Sequence, residues 1–256
     1  MTFVAIASSW LLAAMVAPII GSFLGVLIRR LPAGQSVGWA RSQCDDCGRT
    51  LTARELVPVL SYLMQRGRCR GCGATIAPFH ILIELAALGV ATWAALLNTD
   101  APTVIWADCV LGWTLLALAW VDWQHLRLPD VLTLPLLLAG LAATELIEPD
   151  VLIDHVLGAT IGWAALHGLG TAYRRLRGYH GLGAGDAKLL AAGGAWLGWQ
   201  ALPTVLLLAA LAGLSFAIVL RLRDGALGWT SPIAFGPWLA LGIWLVRLYG
   251  ADWLAV

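Results

Sequence analysis

Charged residues are scarce in this sequence. Asp, Glu, Lys and Arg make up 12% of its 256 residues, whereas they make up about a quarter of an ordinary soluble domain. Hydrophobic residues make up 60% of the chain, and its mean hydropathy is +0.81. This shortage of charge excludes an ordinary soluble domain and predicts a polytopic membrane protein.

The first apolar stretch, Phe3 to Ile28, has no basic start and no small-residue cleavage site, so we expect a permanent anchor rather than a removable signal peptide. Apolar segments of membrane-spanning length predict an all-α bundle of about eight transmembrane helices. The predicted spans lie near 3–28, 78–97, 102–121, 131–147, 151–172, 187–200, 203–220 and 232–249. Only residues 200–203 separate the sixth and seventh spans, so seven crossings remain an alternative.

The basic residues fall on one side of this topology. Short cytoplasmic loops carry the excess of Lys and Arg, and an outside N-terminus puts nearly all of them in the cytoplasm. These are the arginines from Arg29 to Arg70, Arg127, Arg174, Arg175, Arg177, Lys188, Arg221 and Arg223. Only Arg247 lies toward the outside. We therefore predict a multi-pass membrane protein with its N-terminus outside and its basic loops in the cytoplasm.

Residues 29–77 do not belong in the bilayer, because they contain eight arginines and two Cys-x2-Cys pairs. The pairs are Cys44-Cys47 and Cys69-Cys72, with 21 residues between them. Two such knuckles are typical of a structural four-cysteine zinc site, whose tetrahedral shell leaves no position for water. Two disulfides or free thiols are the alternatives, and a reducing cytoplasm disfavours the disulfides.

These features predict three parts of the chain. They are a first transmembrane helix at 1–28, a cytoplasmic zinc-binding domain at 29–77 and a membrane core at 78–256. The fifth cysteine, Cys109, lies within an apolar span and is interpreted as core packing.

Two aspartates lie where apolar segments meet basic residues: Asp122 and Asp186. A carboxylate at the membrane edge is costly and usually marks a function. In the loop after Asp122, Asp130 is interpreted as the N-cap of the fourth span. Lys188 is expected to reach lipid headgroups rather than to pair with Asp186.

Two carboxylates at one membrane depth can form an aspartyl protease dyad. Like charges a few ångströms apart cannot both ionise, so one carboxylate takes a proton from water while the other protonates the substrate carbonyl. Helix capping by Asp186, ion pairing and a transport pathway are the alternatives that the residues alone leave open.

Several stretches, taken together and in order, resemble the bacterial type IV prepilin peptidases. The resemblance covers nearly the whole chain. It rests on residues 21–32, 41–44, the two cysteine pairs, 55–62, Glu84, 122–130, 183–189 and 232–237. The chain departs from the family at Gly25, where asparagine is common, and at Asp45, where proline is common. It also departs at His180 and Leu182, where an acidic residue and methionine are common.

The resemblance implies that Asp122 and Asp186 are the catalytic pair. It also implies that the substrates are prepilins or pseudopilins, whose basic leader would be cleaved after a glycine at the cytoplasmic membrane face. The new N-terminus would then be methylated from S-adenosylmethionine. No glycine-rich nucleotide fold can be identified, so we expect the donor to bind in the cysteine domain and first loops.

Two other classes of protein compete with this interpretation. A cation-coupled transporter using membrane aspartates would show inverted repeats, and no convincing repeat is found. A membrane scaffold whose zinc domain binds a partner would leave the paired aspartate loops unexplained. Besides the pilin-like substrates, membrane lipids are the expected partners, and nucleic acid is not expected.

Overall fold

The computed structural model of the protein describes residues 3–38, 41–98, 101–178, 183–224 and 233–251. Within these residues the chain is helical, with two isolated β-bridges and no longer strand. The α-helices are α1 (Phe3–Arg30), α2 (Leu60–Met64), α3 (Phe79–Leu97), α4 (Pro102–His125), α5 (Asp130–Ile147), α6 (Leu152–Arg177), α7 (Ala184–Leu197), α8 (Leu202–Asp224) and α9 (Gly236–Tyr249). Two short 3-10 helices lie at Ala53–Leu56 and Pro149–Val151. His180, Leu182 and Pro232 from the sequence analysis lie outside the described residues.

The prediction of an all-α transmembrane bundle with about eight helices is confirmed. Apart from the short α2, each described α-helix falls on one predicted span. Five of them, α1, α3, α4, α5 and α8, are long and apolar enough to cross a membrane by length and composition. The helices α7 and α9 have 14 residues each, which gives about 21 Å at 1.5 Å per residue.

The chain folds as two compact units, Met1–Trp113 and Thr114–Val256, which we call the first and second units. The boundary between them falls inside α4. The three-part division at residues 28 and 77 stays a prediction.

In the first unit, α1 packs against α3 at a glycine. A Cβ atom at Gly21 would lie 2.6 Å from the Cα atom of Glu84 and 2.9 Å from the carbonyl oxygen of Ile83. The first half of α4 is joined to α3 by the Trp113 indole, which donates a hydrogen bond of 2.9 Å to the carbonyl oxygen of Ala87. Small residues and buried hydrogen bonds are the usual means of holding membrane helices together.

In the second unit, α7 is the central helix. Ten of its residues are buried, and α5, α6 and α9 pack around it. Glycines allow this close approach: a Cβ atom at Gly162 on α6 would lie 2.8 Å from the carbonyl oxygen of Leu190. On α7 itself, a Cβ atom at Gly193 would lie 2.8 Å from Cδ1 of Ile243. The short α7 is therefore surrounded by other helices.

This packing predicts that Gly162→Ala destabilises the second unit by about 1–3 kcal/mol, because the added methyl group overpacks the α6–α7 contact. The matched control is Gly168→Ala on the same helix, where nothing lies within 4 Å of the new Cβ atom. That control should be neutral, or stabilising by up to about 1 kcal/mol through helix propensity. Thermal unfolding in detergent measures both effects. A Gly162→Ala melting temperature no lower than that of the wild type would contradict the packing.

Candidate active site and candidate metal centre

Asp122 lies in the last turn of α4 with 6% of its surface exposed. Its Oδ2 atom accepts a hydrogen bond of 2.9 Å from the backbone N–H of Gly236, the first residue of α9. The first N–H groups of a helix have no partner within the helix. The Asp122 carboxylate supplies one, and its position is thereby tied to the N-terminus of α9.

Only glycine fits at position 236. A Cβ atom there would lie 2.6 Å from Oδ2 and 3.0 Å from Cγ of Asp122. The sequence analysis did not identify Gly236 as part of the site, although the pair Gly236-Pro237 is typical of the start of a helix. Proline is favoured in the first turn of a helix, so the pair indicated where a helix would begin, but not what would lie against it.

Asp186 is the third residue of α7, and 7% of its surface is exposed. Its Oδ2 atom accepts a hydrogen bond of 3.2 Å from the backbone N–H of Gly183. The capping role that the residues alone left open is therefore present. It orients the carboxylate, and the two aspartates are close enough to interact electrostatically.

Two contacts join the loop after Asp122 to the start of α7. A Cβ atom at Gly185 would lie 2.8 Å from Cβ of Leu128, so only glycine allows the loop to approach this closely. In addition, Nζ of Lys188 lies 2.6 Å from Oδ1 of Asp130. Because both contacts lie next to the site, the two segments that carry the aspartates form one local structure.

The Lys188–Asp130 ion pair corrects two expectations. The predicted role of Asp130 as an N-cap is wrong, because α5 begins at Asp130 itself and Pro129 occupies the N-cap position. Lys188, which was expected to reach lipid headgroups, pairs with Asp130 instead. Both side chains are partly exposed, so we assign this pair a positioning role and little stability.

The four predicted cysteines come together in the first unit. One sulfur atom from each of Cys44, Cys47, Cys69 and Cys72 lies within 4.8 Å of the others. No two of them form a disulfide, and the Cys44 and Cys72 sulfurs are 3.9 Å apart instead of the roughly 2.05 Å of an S–S bond. The cluster could hold a metal ion. Cys109, as predicted, is buried in a helix.

Both cysteine pairs have the same backbone arrangement. In the first, Gly48 N–H donates to the Cys44 carbonyl oxygen at 3.0 Å; in the second, Gly73 N–H donates to the Cys69 carbonyl oxygen at 2.9 Å. Both glycines have positive φ angles, 68° and 75°, which glycine adopts without steric cost. This repeated tight turn is the geometry that lets two thiolates reach one tetrahedral ion.

A half-buried ion pair lies beside the two knuckles. The Arg49 guanidinium pairs with Glu55 and also lies against Gly71, where a Cβ atom would be 2.9 Å from Nε. Glu55 accepts two further hydrogen bonds, from the backbone N–H of Thr52 at 3.0 Å and from its hydroxyl at 2.8 Å. The Thr52 backbone and the Arg49 side chain lower the pKa of Glu55 to about 2. Glu55 therefore stays ionised at physiological pH.

The two sites define a class of protein: a multi-pass helical membrane protein with paired buried carboxylates in one unit and a four-cysteine cluster in the other. Residues 15–98 match the model of the bacterial peptidase A24 N-terminal domain, and residues 109–218 match that of the type IV leader peptidase family. The chain belongs to the type IV leader peptidase family.

Curated relatives agree with this assignment. The chain is 42% identical over 258 residues to a protein of Aeromonas hydrophila, with 90% of this chain and 87% of the relative covered. It is 40% identical over 249 residues to one of Burkholderia pseudomallei, covering 88% and 80%. It is 35% identical over 259 residues to one of Pseudomonas aeruginosa, covering 91% and 87%. All three are named prepilin leader peptidase/N-methyltransferase. No solved structure matches the chain significantly.

The cysteine cluster predicts one equivalent of bound metal ion per chain in the purified protein. Cys69→Ser removes a buried sulfur ligand and should abolish this metal content, because a three-thiolate site no longer closes the tetrahedron. Cys109→Ser provides the matched control and should retain the metal. Elemental analysis by mass spectrometry measures the stoichiometry, and metal-free wild-type protein would contradict the assignment.

Proposed function

We propose that this chain is a membrane aspartyl endopeptidase that cleaves the basic leader from prepilins or pseudopilins and then methylates the new N-terminus. The observation that carries the proposal is the pair of buried, interacting carboxylates of Asp122 and Asp186, each held by a backbone amide at the start of a helix. Family membership and the shared name of the relatives support the same activities.

In the proposed mechanism the two carboxylates share one proton. The ionised carboxylate accepts a proton from a water molecule while the water oxygen attacks the scissile carbonyl carbon. The protonated carboxyl group donates its proton to the carbonyl oxygen, giving a tetrahedral intermediate. When that intermediate collapses, the C–N bond breaks and the leaving nitrogen takes up a proton. The Gly236 and Gly183 amides hold one oxygen of each aspartate, which orients both groups for these transfers.

An aromatic cluster beside Asp122 suits an apolar substrate helix. The ring centroids of Trp123 and Phe216 are 5.1 Å apart, and those of Phe216 and Trp238 are 5.0 Å apart. Trp123 is the neighbour of Asp122 in sequence, and 51% of its surface is exposed. A pilin-like precursor has its long apolar helix directly after the cleavage point, so an exposed aromatic surface next to the dyad supports this substrate class.

We place the active site at the cytoplasmic face of a bacterial inner membrane, with the N-terminus outside. Basic residues lie in the last turns of α6 and α8. The helices that follow them along the chain, α7 and α9, begin with the residues that form the site. An excess of basic residues marks the cytoplasmic side, which is also where a prepilin leader stays. Exposed apolar side chains on α1, α5, α6 and α8 support contact with lipid.

Two cofactors belong to this proposal. The four cysteines fit Zn²⁺, because clustered thiolates on tight turns favour a soft, tetrahedral ion, and the ion would cross-link the two knuckles. When bound, S-adenosylmethionine supplies the methyl group for the amine that cleavage releases. The first unit contributes the residues that would hold this donor. The transporter alternative receives no support from any relative.

The dyad predicts that Asp122→Asn and Asp186→Asn each abolish cleavage of a model prepilin in reconstituted membranes, because neither amide can exchange a proton as the carboxylate does. Asp150→Asn, which changes an exposed acid in the second unit, is the matched control and should cleave normally. A wild-type melting temperature in detergent shows that the variants are folded. Normal cleavage by either dyad variant would refute the aspartyl mechanism.

The contact at Gly236 predicts a separate effect. Gly236→Ala pushes the Asp122 carboxylate from its position, and a displacement near 1 Å costs about 100-fold in rate. We therefore expect cleavage with a lower kcat and a nearly unchanged KM, because the catalytic atoms move and the substrate surface does not. Gly168→Ala serves as the control for a glycine replaced elsewhere in the second unit. A wild-type kcat for Gly236→Ala would show that this contact does not position Asp122.

A further inference from the structure

The first unit contains a cavity of about 800 Å³. The end of α1, the start of α3 and the segment between them, which we call the cysteine loop (residues 31–38 and 41–77, including α2), form its walls. Cys44 and Cys69 are among the lining residues. Sites for small organic molecules occupy roughly 300–1,000 Å³. Neither Asp122 nor Asp186 is among the residues that line this cavity.

A buried acid without a cationic partner lines the cavity. Glu84 on α3 is 7% exposed, and its Oε2 atom accepts a hydrogen bond of 2.6 Å from the backbone N–H of Val59. The Ser22 hydroxyl also donates to it. Among the described residues no Lys or Arg forms a salt bridge with Glu84. A buried carboxylate that has only neutral donors is costly and is well placed to receive a cation.

The backbone beside Glu84 is also held in an unusual conformation. Val59, whose N–H donates to Glu84, has φ 60° and ψ −54°, which is strained for a β-branched residue. Such strain persists only where surrounding contacts impose it. Glu84 thus joins the cysteine loop to α3 at the wall of the cavity.

Positively charged side chains also line the cavity. Arg29 and Arg30 both line it. Arg29 pairs with Asp45 at 2.9 Å and lies 3.3 Å from Nε2 of His80, while Arg30 donates to the carbonyl oxygen of Ser36 at 3.2 Å. These arginines offer charge-assisted hydrogen bonds to a carboxylate. They would repel the basic leader of a pilin-like substrate.

Besides Glu84 and the two arginines, an aromatic ring lines the cavity. Tyr62 on α2 lines the cavity and lies against Gly67, where a Cβ atom would be 3.0 Å from the phenol oxygen. Gly67 has φ 66°, so both the space and the backbone conformation there require glycine. Tyr62 is held by this contact and offers a ring face for stacking a flat heterocycle.

We propose that this cavity binds the methyl donor S-adenosylmethionine, with Glu84 as the partner of its sulfonium group. The inference rests on the proposed methyltransferase activity. The molecule has a cationic sulfur, an amino acid carboxylate and an adenine ring, which correspond to Glu84, to the arginines and to Tyr62. Inorganic phosphate or an anionic lipid headgroup would satisfy the arginines but would leave Glu84 without a cation. Gly25, where the chain departs from the family, also lines the cavity.

Direct binding to the purified full-length protein tests this assignment. Titration calorimetry measures Kd for S-adenosylmethionine and for S-adenosylhomocysteine, which lacks the methyl group and the positive charge on sulfur. In Glu84→Gln the amide oxygen still accepts from Val59, but the negative charge is gone. We expect S-adenosylmethionine to bind at least about tenfold more weakly to this variant, the loss of one charge-assisted contact, and S-adenosylhomocysteine to bind unchanged.

Two further variants keep the test decisive. Glu145→Gln, which changes an exposed acid in the second unit, should bind both molecules as the wild type does. Tyr62→Ala should weaken both equally, and it tests the cavity independently if Glu84→Gln does not fold. Retained metal content and retained prepilin cleavage show that a variant is folded.

The outcomes separate this inference from the proposed function. Wild-type affinity of both Glu84→Gln and Tyr62→Ala for S-adenosylmethionine would overturn the location while leaving methylation intact. A wild-type protein that methylates no pilin peptide would overturn the proposed methyltransferase activity itself. Binding of a basic leader peptide or of inorganic phosphate, with no binding of S-adenosylmethionine, would overturn the ligand assignment.

Discussion

The hydrogen bond from the Gly236 amide to the Asp122 carboxylate governs the arrangement of the second unit. It joins residues 114 positions apart in sequence and requires a glycine, because any side chain at position 236 would occupy the carboxylate's place. The same principle operates at Asp186, whose carboxylate accepts from the Gly183 amide at the start of α7. Helix N-termini present free N–H groups, and this unit uses two of them to orient two acids.

The central position of α7 explains why those acids can be held at all. Its small residues let α6 and α9 approach closely, so a 14-residue helix is enclosed by protein. A carboxylate at its first turn is buried yet still near the helix end, where backbone donors are available. The Lys188–Asp130 pair and the Leu128–Gly185 contact add the neighbouring loop to this local structure. The position of Asp186 in the first turn of the enclosed α7 therefore both buries its carboxylate and gives it a backbone donor.

The sequence predicted the elements better than the contacts between them. Long apolar runs located the helices, because spanning a bilayer constrains length and composition, and the cysteine spacing predicted the four-cysteine cluster. The role of Gly236 could not be predicted, since a glycine's neighbour depends on tertiary packing. Helix-capping rules consider only the residues next to a helix end, so they indicate a capping role for Asp130. Its actual partner, Lys188, is 58 residues away in sequence. The cavity around Glu84 could not be predicted either, because α1, the cysteine loop and α3 form it together.

The central claim is that Asp122 and Asp186 act as one catalytic group, and the most direct measurement is the single-turnover cleavage rate of Asp122→Asn/Asp186→Asn beside those of the two single variants. Residues that act as a unit give strongly non-additive losses. The account predicts that the double variant is no slower than the slower single variant. Losses that multiply would mean that each aspartate contributes independently, and they would contradict a shared-proton dyad.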